Sequence, residues 1–175
     1  MAFRTFKYFS IAAGGTVQAL VGTASTAAVA AGSNVSIPVS DSSMFLKGDY
    51  AAVDTGANQE RPRVTSVPDG THVVVDNLSA GHASGVSVRP SLMVNSVYVQ
   101  SNDGNTGALF VGNNPALVKA TGVGVLKKVL FVAANSIPPD FSTADLGGFS
   151  NPVDLADFWI DGTTSDKYLP SVTVV

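Results

Sequence analysis

Residues 93–112 read MVNSVYVQSNDGNTGALFVG, and their reading decides the fold. From Met93 to Gln100 the stretch is rich in valine and alternates toward polar side chains, the pattern of a half-buried strand. Asn102-Asp103-Gly104-Asn105 then supplies turn chemistry, and Ala108 to Gly112 resumes with aliphatic and aromatic residues. The same grammar runs through the chain: VSIPVS (35–40), THVVVD (71–76), GVSVRP (85–90), KKVLFVAA (127–134), ADFWIDG (156–162) and SVTVV (171–175) are β-like runs. Between them fall turn residues such as Pro68-Asp69-Gly70, Ser79-Ala80-Gly81, Asn113-Asn114-Pro115, Pro138-Pro139-Asp140 and Asp161-Gly162. Strands at this spacing predict an all-β chain, an antiparallel β-sandwich or jelly-roll-like domain over 41–175, with 1–40 as an extended N-terminal arm or a first strand.

Composition agrees. The chain has 175 residues, enough to bury a core, and its 26 valines face a single glutamate, Glu60. Valine is stiff at χ1 and suits a pleated surface, whereas the residues that fill exposed helix faces are scarce. Helix signals are short: Asn151-Pro152-Val153-Asp154 and Ser142-Thr143-Ala144-Asp145 each have capping chemistry but no long apolar period behind them. No cysteine is present, which removes disulfides, thiol nucleophiles and thiolate metal sites. With a formal charge of -3 and dispersed basic residues, no nucleic-acid partner is expected. The close basic pairs Lys127-Lys128 and Arg61-Arg63 read as solvated strand edges, with phosphate contact the lesser alternative.

From Tyr8 to Ser40 no charged residue occurs. A secretory signal or a membrane span is disfavoured there, because Gly14, Gly15, Thr16, Gln18, Gly22, Thr23 and Ser25 interrupt the apolar run; no membrane partner is expected. An arm ordered along a partner surface, with Phe3, Phe6, Tyr8 and Phe9 as anchors, competes evenly with a first strand of the sandwich.

Several motifs suggest chemistry and fail on mechanism. Gly107 and Gly112 have the G-x-x-x-x-G spacing of a phosphate-binding loop, but Asn113-Asn114 stand where Lys and Ser or Thr are needed. Asp54-Thr55-Gly56 resembles the active-site tripeptide of aspartic proteases, yet the charged run Gln59 to Arg63 follows where that family continues into an apolar strand; a protease stays a remote alternative. His72 and His82 lack metal-ligand spacing, and the serines lack a nucleophile elbow. Asp103 with Asn102 and Asn105, and Asp161 with Asp166, offer oxygens suited to calcium, but turn formation explains them equally well. Asp154, Asp157 and Asp161 carry no sign of a catalytic pair. No catalytic residue, metal or cofactor is expected.

VNSVYVQSNDGNTGALFVGNN (94–114), the TG and Leu of TGVGVL (121–126), and DLADFWIDGTTSDKYLPSVTVV (154–175) together resemble a module of tailed-bacteriophage virion proteins. In that pattern a strand ends in an N-T-G turn, the next ends in V-G, and a late aromatic-aliphatic strand precedes a Gly-Thr turn and a closing strand. The resemblance covers less than half the chain, and Lys127-Lys128 stands where the pattern has a Pro-Gly turn. The module occurs in capsid decoration and cement proteins, head fibres and other minor virion components, so the resemblance implies a particle-bound structural role without selecting one; the expectation taken from it is a β-sandwich capsid decoration or cement protein on the virion surface whose partners are the major capsid protein and itself, with a homotrimer preferred because it matches a three-fold site of the shell. The alternative from another class is a receptor- or glycan-binding fibre or tail-tip module, with Phe158, Trp159 and Tyr168 near its loops.

Overall fold

The computed structural model describes residues 2–102, 105–129, 140–142 and 151–175. Its strands, in chain order, are β1 (Ala2–Thr5), β2 (Phe9–Ser10), β3 (Gln18–Ala19), β4 (Thr23–Ala24), β5 (Gly32–Pro38), β6 (Tyr50–Val53), β7 (Val64–Asp69) and β8 (His72–Leu78). They continue with β9 (Ser87–Ser91), β10 (Met93–Ser101), β11 (Leu109–Gly112), β12 (Val125–Val129), β13 (Asp140–Ser142), β14 (Val153–Asp154), β15 (Trp159–Asp161) and β16 (Lys167–Val174). Two single 3₁₀ turns, Gly56–Asn58 and Leu155–Asp157, are the helical elements among the described residues. The chain is all-β with antiparallel sheets, as its valine content and turn punctuation predict.

The chain divides into two compact units, Met1–Val21 with Met93–Val175, and Gly22–Leu92. The expected boundary at 40/41 falls inside the second unit.

In the first unit one sheet runs β1-β16-β10-β13, with β2 also on β16 and β14 also on β10; the other runs β12-β11-β15-β3. The pairing of β10 with β16 shows how register is set. Val94 opposes Val174, Val97 opposes Val172 and Val99 opposes Pro170, with the register shifting between Val94 and Ser96. Because strand side chains alternate faces, a strict alternation from Val94 would expose Val97 and Val99; the irregularity at Asn95 moves the buried set from even to odd positions. Val94, Val97, Val99 and Val172 are all buried. Each such side chain contributes about 1.5–3 kcal/mol of transfer free energy. The opposite face of these strands carries hydroxyls, and Ser96 Oγ donates to Thr173 Oγ1 at 2.8 Å while Ser171 Oγ donates to Thr5 Oγ1 at 3.3 Å.

Ile11, Leu20, Leu109, Leu155, Ile160 and Tyr168 complete the core of this unit. The phenol of Tyr168 is fully buried, accepts from Gln18 Nε2 at 3.1 Å and donates to the Ala19 carbonyl at 3.4 Å. Burial raises its pKa, and the Gln18 hydrogen bond only partly offsets that. Phe158 and Trp159 are also buried. With Tyr168 they belong to the core, so the three rings form no exposed platform for a sugar.

The second unit holds two three-stranded sheets, β4-β9-β6 and β5-β8-β7. Ile37, Val53, Val64, Val73, Val75, Leu78 and Val88 supply its core, with Met44 and Phe45 from the connection before β6. In the β7–β8 hairpin Asp69 takes the Thr71 N–H at 2.7 Å and faces His72 Nδ1 at 2.9 Å. Those contacts, the Thr71 amide first and His72 second, hold the Asp69 carboxyl below its ordinary value.

The expected cap at Asn151 to Asp154 sits one step later. Asp154 is the N-cap of the Leu155–Asp157 turn and accepts from Ala156 N at 2.9 Å, because Val153–Asp154 is already paired to β10. The expected cap at Ser142 to Asp145 and most of KKVLFVAA lie outside the described residues.

Candidate functional site

The expected anchors sit on β1 and its continuation, at the edge of the β1-β16-β10-β13 sheet. Ala2–Thr5 pairs antiparallel with β16, Ala2 opposite Val174 and Thr5 opposite Ser171, and Phe6 N donates to the Pro170 carbonyl at 3.1 Å. Of the two readings for this stretch, an arm or a first strand, the structure has strand pairing here.

The four aromatic residues fall into two pairs. Phe6 is buried, with the Arg4 guanidinium 5.1 Å from its ring centre, and Phe9 stacks on Tyr168 at 5.7 Å and 19° with the Lys7 ammonium 5.8 Å from its ring. Phe3 and Tyr8 stay 66% and 49% exposed, which makes them the two free to meet another molecule. Phe3 meets Tyr98 edge to face, with centroids 6.2 Å apart and planes at 60°, so its ring is oriented by a neighbour while remaining open to solvent.

The N-T-G turn is tied to the start of the closing strand by two side chains, its own Asn105 and Asp166 from the other side. Asn105 pairs with Lys167 as a backbone would, its Oδ1 accepting from Lys167 N at 2.7 Å and its Nδ2 donating to Lys167 O at 2.8 Å. Asp166 accepts from Thr106 N at 2.7 Å, from Thr106 Oγ1 at 3.3 Å and from Gly107 N at 3.1 Å. The two glycines of the apparent phosphate loop have a packing explanation. A Cβ on Gly107 would collide with the Thr163 hydroxyl, and one on Gly112 with the Gly124 carbonyl oxygen. Between them Leu109–Gly112 is a strand paired on both sides, so no cradle forms.

Of the oxygens considered for calcium, Asn105 Oδ1, both Asp166 oxygens and Asp161 Oδ1 accept from protein donors. Asp161 Oδ1 accepts from Gly15 N at 3.0 Å and Gly162 N at 2.7 Å, with Lys119 Nζ at 3.7 Å. Asp103 lies outside the described residues. Asp154 caps its turn, Asp157 is exposed and Asp161 is buried. Among the described residues no group of three His, Asp or Glu side chains is placed to hold a metal ion.

The second unit carries a polar cluster built around two residues that motif reading passed over, Glu60 and Arg89. Asp54 has φ +68 and Gly56 φ +62, so the Asp-Thr-Gly turn reverses sharply after β6. Asp54 Oδ1 accepts from Thr55 N at 2.8 Å, and Oδ2 lies 3.3 Å from His82 Nδ1. Glu60 reaches the other ring nitrogen, Nε2, at 3.0 Å. It also accepts from Ser79 N at 2.7 Å, Ser79 Oγ at 2.5 Å and Ala80 N at 2.9 Å. Burial alone would raise the Glu60 pKa; the hydrogen bonds from Ser79, Ala80 and His82 outweigh it and hold the carboxyl down to about 2. Arg89, almost wholly buried, donates Nη2 to the Asp54 carbonyl at 2.5 Å and to Gln59 Oε1 at 3.1 Å.

Chemically this cluster is a clamp. Both ring nitrogens of His82 face carboxylates, which accept only, so the imidazole has no free nitrogen for a substrate, and the Ser79 hydroxyl is spent on Glu60. The Asp54 carboxylate meets an imidazole, whereas an aspartic dyad sets it against a second aspartate. The signal for Glu60 lay in composition, as the one glutamate of the chain.

No family model, curated protein or solved structure matches this chain. Among the described residues no helix is long and apolar enough to cross a membrane.

Proposed function

We propose that this chain is a structural protein of a tailed-phage virion, a decoration or cement protein that binds the assembled head shell and stabilises it. The observation that carries the reading is the exposed pair of Phe3, on the edge strand β1, and Tyr8, in the link from β1 to β2, beside Phe6 and Phe9, which tie this stretch to the unit. An edge strand offers unpaired backbone groups to another chain, and exposed aromatic rings beside it supply apolar contact area. The N-T-G and V-G frame supports the same reading through its resemblance to virion modules. The burial of Phe158, Trp159 and Tyr168 weighs against a glycan-binding tip.

The mechanism is noncovalent bridging of neighbouring capsid subunits, with binding summed over many copies so that the closed lattice is favoured over separated subunits. A homotrimer would match a three-fold position of the shell. The test mixes purified protein with undecorated shells and measures saturable binding and the thermal stability of the particle. Binding with a raised particle melting temperature, weakened at least tenfold by Phe3→Ser with Tyr8→Ser, is the expected result. No binding by the intact chain would overturn the proposal.

A further inference from the structure

The side chain of His82 is 1% exposed, and it stands where the chain near Val29, the Asp54 turn and the Glu60 segment meet the segment after β8. Its backbone exchanges two hydrogen bonds with Val29: His82 N donates to the Val29 carbonyl and Val29 N to the His82 carbonyl, each at 2.8 Å. Its ring lies between two acids, with Asp54 Oδ2 3.3 Å from Nδ1 and Glu60 Oε1 3.0 Å from Nε2. Glu60 also holds the Ser79 and Ala80 amides. The ring therefore links the turn after β6 to residues 79–82 across the cluster.

A neutral imidazole has one N–H and one bare nitrogen, whereas imidazolium has two N–H groups. A carboxylate accepts and has no proton to give, so a bare ring nitrogen facing one sets lone pair against lone pair. The protonated ring is the form that satisfies both neighbours. Charge agrees with this geometry. The charged groups of the cluster are the carboxylates of Asp54 and Glu60 and the buried guanidinium of Arg89, which donates to the Asp54 carbonyl and to Gln59 Oε1. Neither the stretch around Val29 nor Ser79-Ala80-Gly81 brings a charged side chain. A neutral ring leaves one negative charge over, and imidazolium balances it.

We infer that His82 is a pH-sensitive latch, which as imidazolium fastens both the Asp54 turn and the Glu60 segment to residues 79–82 and on losing its proton releases one of them. Asp54 is the one released, because its contact is the longer and a neutral ring keeps its single N–H on Glu60. The Glu60 carboxyl, held down to about 2, stays ionised wherever histidine titrates. The closed latch favours the proton, so by linkage its stabilisation is complete with the ring protonated and is lost as rising pH removes the proton. The change falls where histidine changes charge, about pH 5 to 8.

The test follows the ring nitrogens of His82 and the amide exchange of the intact chain by NMR across about pH 5 to 8. Exchange is expressed as protection factors, which divide out the intrinsic effect of pH. Asp54 N donates to the Ser87 carbonyl, so its protection reports the turn. At the acid end both ring nitrogens carry hydrogen, and as the ring loses its proton the protection of Asp54 falls at least threefold while that of Val74 and Val75 in β8 holds. Asp54→Asn offers a side-chain N–H to a bare Nδ1 and suits the positive φ there, so the response disappears with the fold kept. His82→Gln, without a titrating ring, is flat across the interval, and His72→Gln, at the other histidine, responds as the parent does. Loss of the ring proton with Asp54 protection unchanged would overturn the proposal, and so would a response that survives Asp54→Asn or His82→Gln, or one that vanishes with His72→Gln.

Discussion

Replacing Gly112 by alanine tests whether the glycine frame exists for packing. Gly112 lies in β11 between Val125 on one side and Trp159 on the other. An added Cβ meets the Gly124 carbonyl oxygen and, at 2.7 Å, Leu117 Cδ1. Leu117 can rotate away, but the Gly124 oxygen is main chain next to a paired strand and can yield only if β12 shifts. Forcing an extra methyl into such a place costs about 1–3 kcal/mol. Alanine also reduces the conformational freedom of the unfolded chain, which returns about 0.4–1 kcal/mol. The expected net loss is therefore roughly 1–2 kcal/mol. Urea unfolding reads it directly, because the single tryptophan, Trp159, is buried and paired opposite the mutated position. Gly107→Ala should cost less, since its obstacle is the Thr163 side chain, which has another rotamer to adopt. A Gly112→Ala protein within about 0.5 kcal/mol of the parent, or one less affected than Gly107→Ala, would refute the packing explanation.

Glu60→Gln removes the charge that four hydrogen bonds converge on, and a loss of about 2 kcal/mol is expected in the Gly22–Leu92 unit. The pH dependence has a defined sign: the folded Glu60 pKa, near 2, lies below its ordinary 4.5, so this stabilisation is complete above about 4.5 and is lost as pH falls toward 2. Acid titrations of stability for parent and Glu60→Gln should converge across that interval, and parallel curves would show that Glu60 carries no such linkage. Asp166→Ala leaves the Thr106 and Gly107 amides without their acceptor and should cost about 2–3 kcal/mol, measured by urea unfolding; a loss under about 0.5 kcal/mol would mean that the N-T-G turn holds without it.

The sequence carried the fold class because strand formation here is local in its signals. Valine runs and Asn, Asp and Gly turns mark β8, β9, β10, β11 and β16 to within a few residues of where they lie. The strands it did not mark have weaker local signatures. Tyr50–Val53 is short and half alanine, and Val64–Asp69 contains Pro68 near its end; both are strands because β9 and β8 pair with them. Division into two units was invisible for a related reason, since the first unit takes β16 from one end of the chain and β1 from the other.

Sites were less legible than strands because a side chain's role depends on partners distant in sequence. For Asp166 and Asn105 the sequence leaves calcium binding and turn formation equal, and only their oxygens' acceptance of the Thr106, Gly107 and Lys167 amides favours the turn. His82 looked isolated until Asp54 and Glu60 were placed on its two nitrogens. In both cases a polar residue in a turn-rich chain stabilises backbone reversals that no sheet can satisfy, so most apparent chemistry in this sequence is turn chemistry.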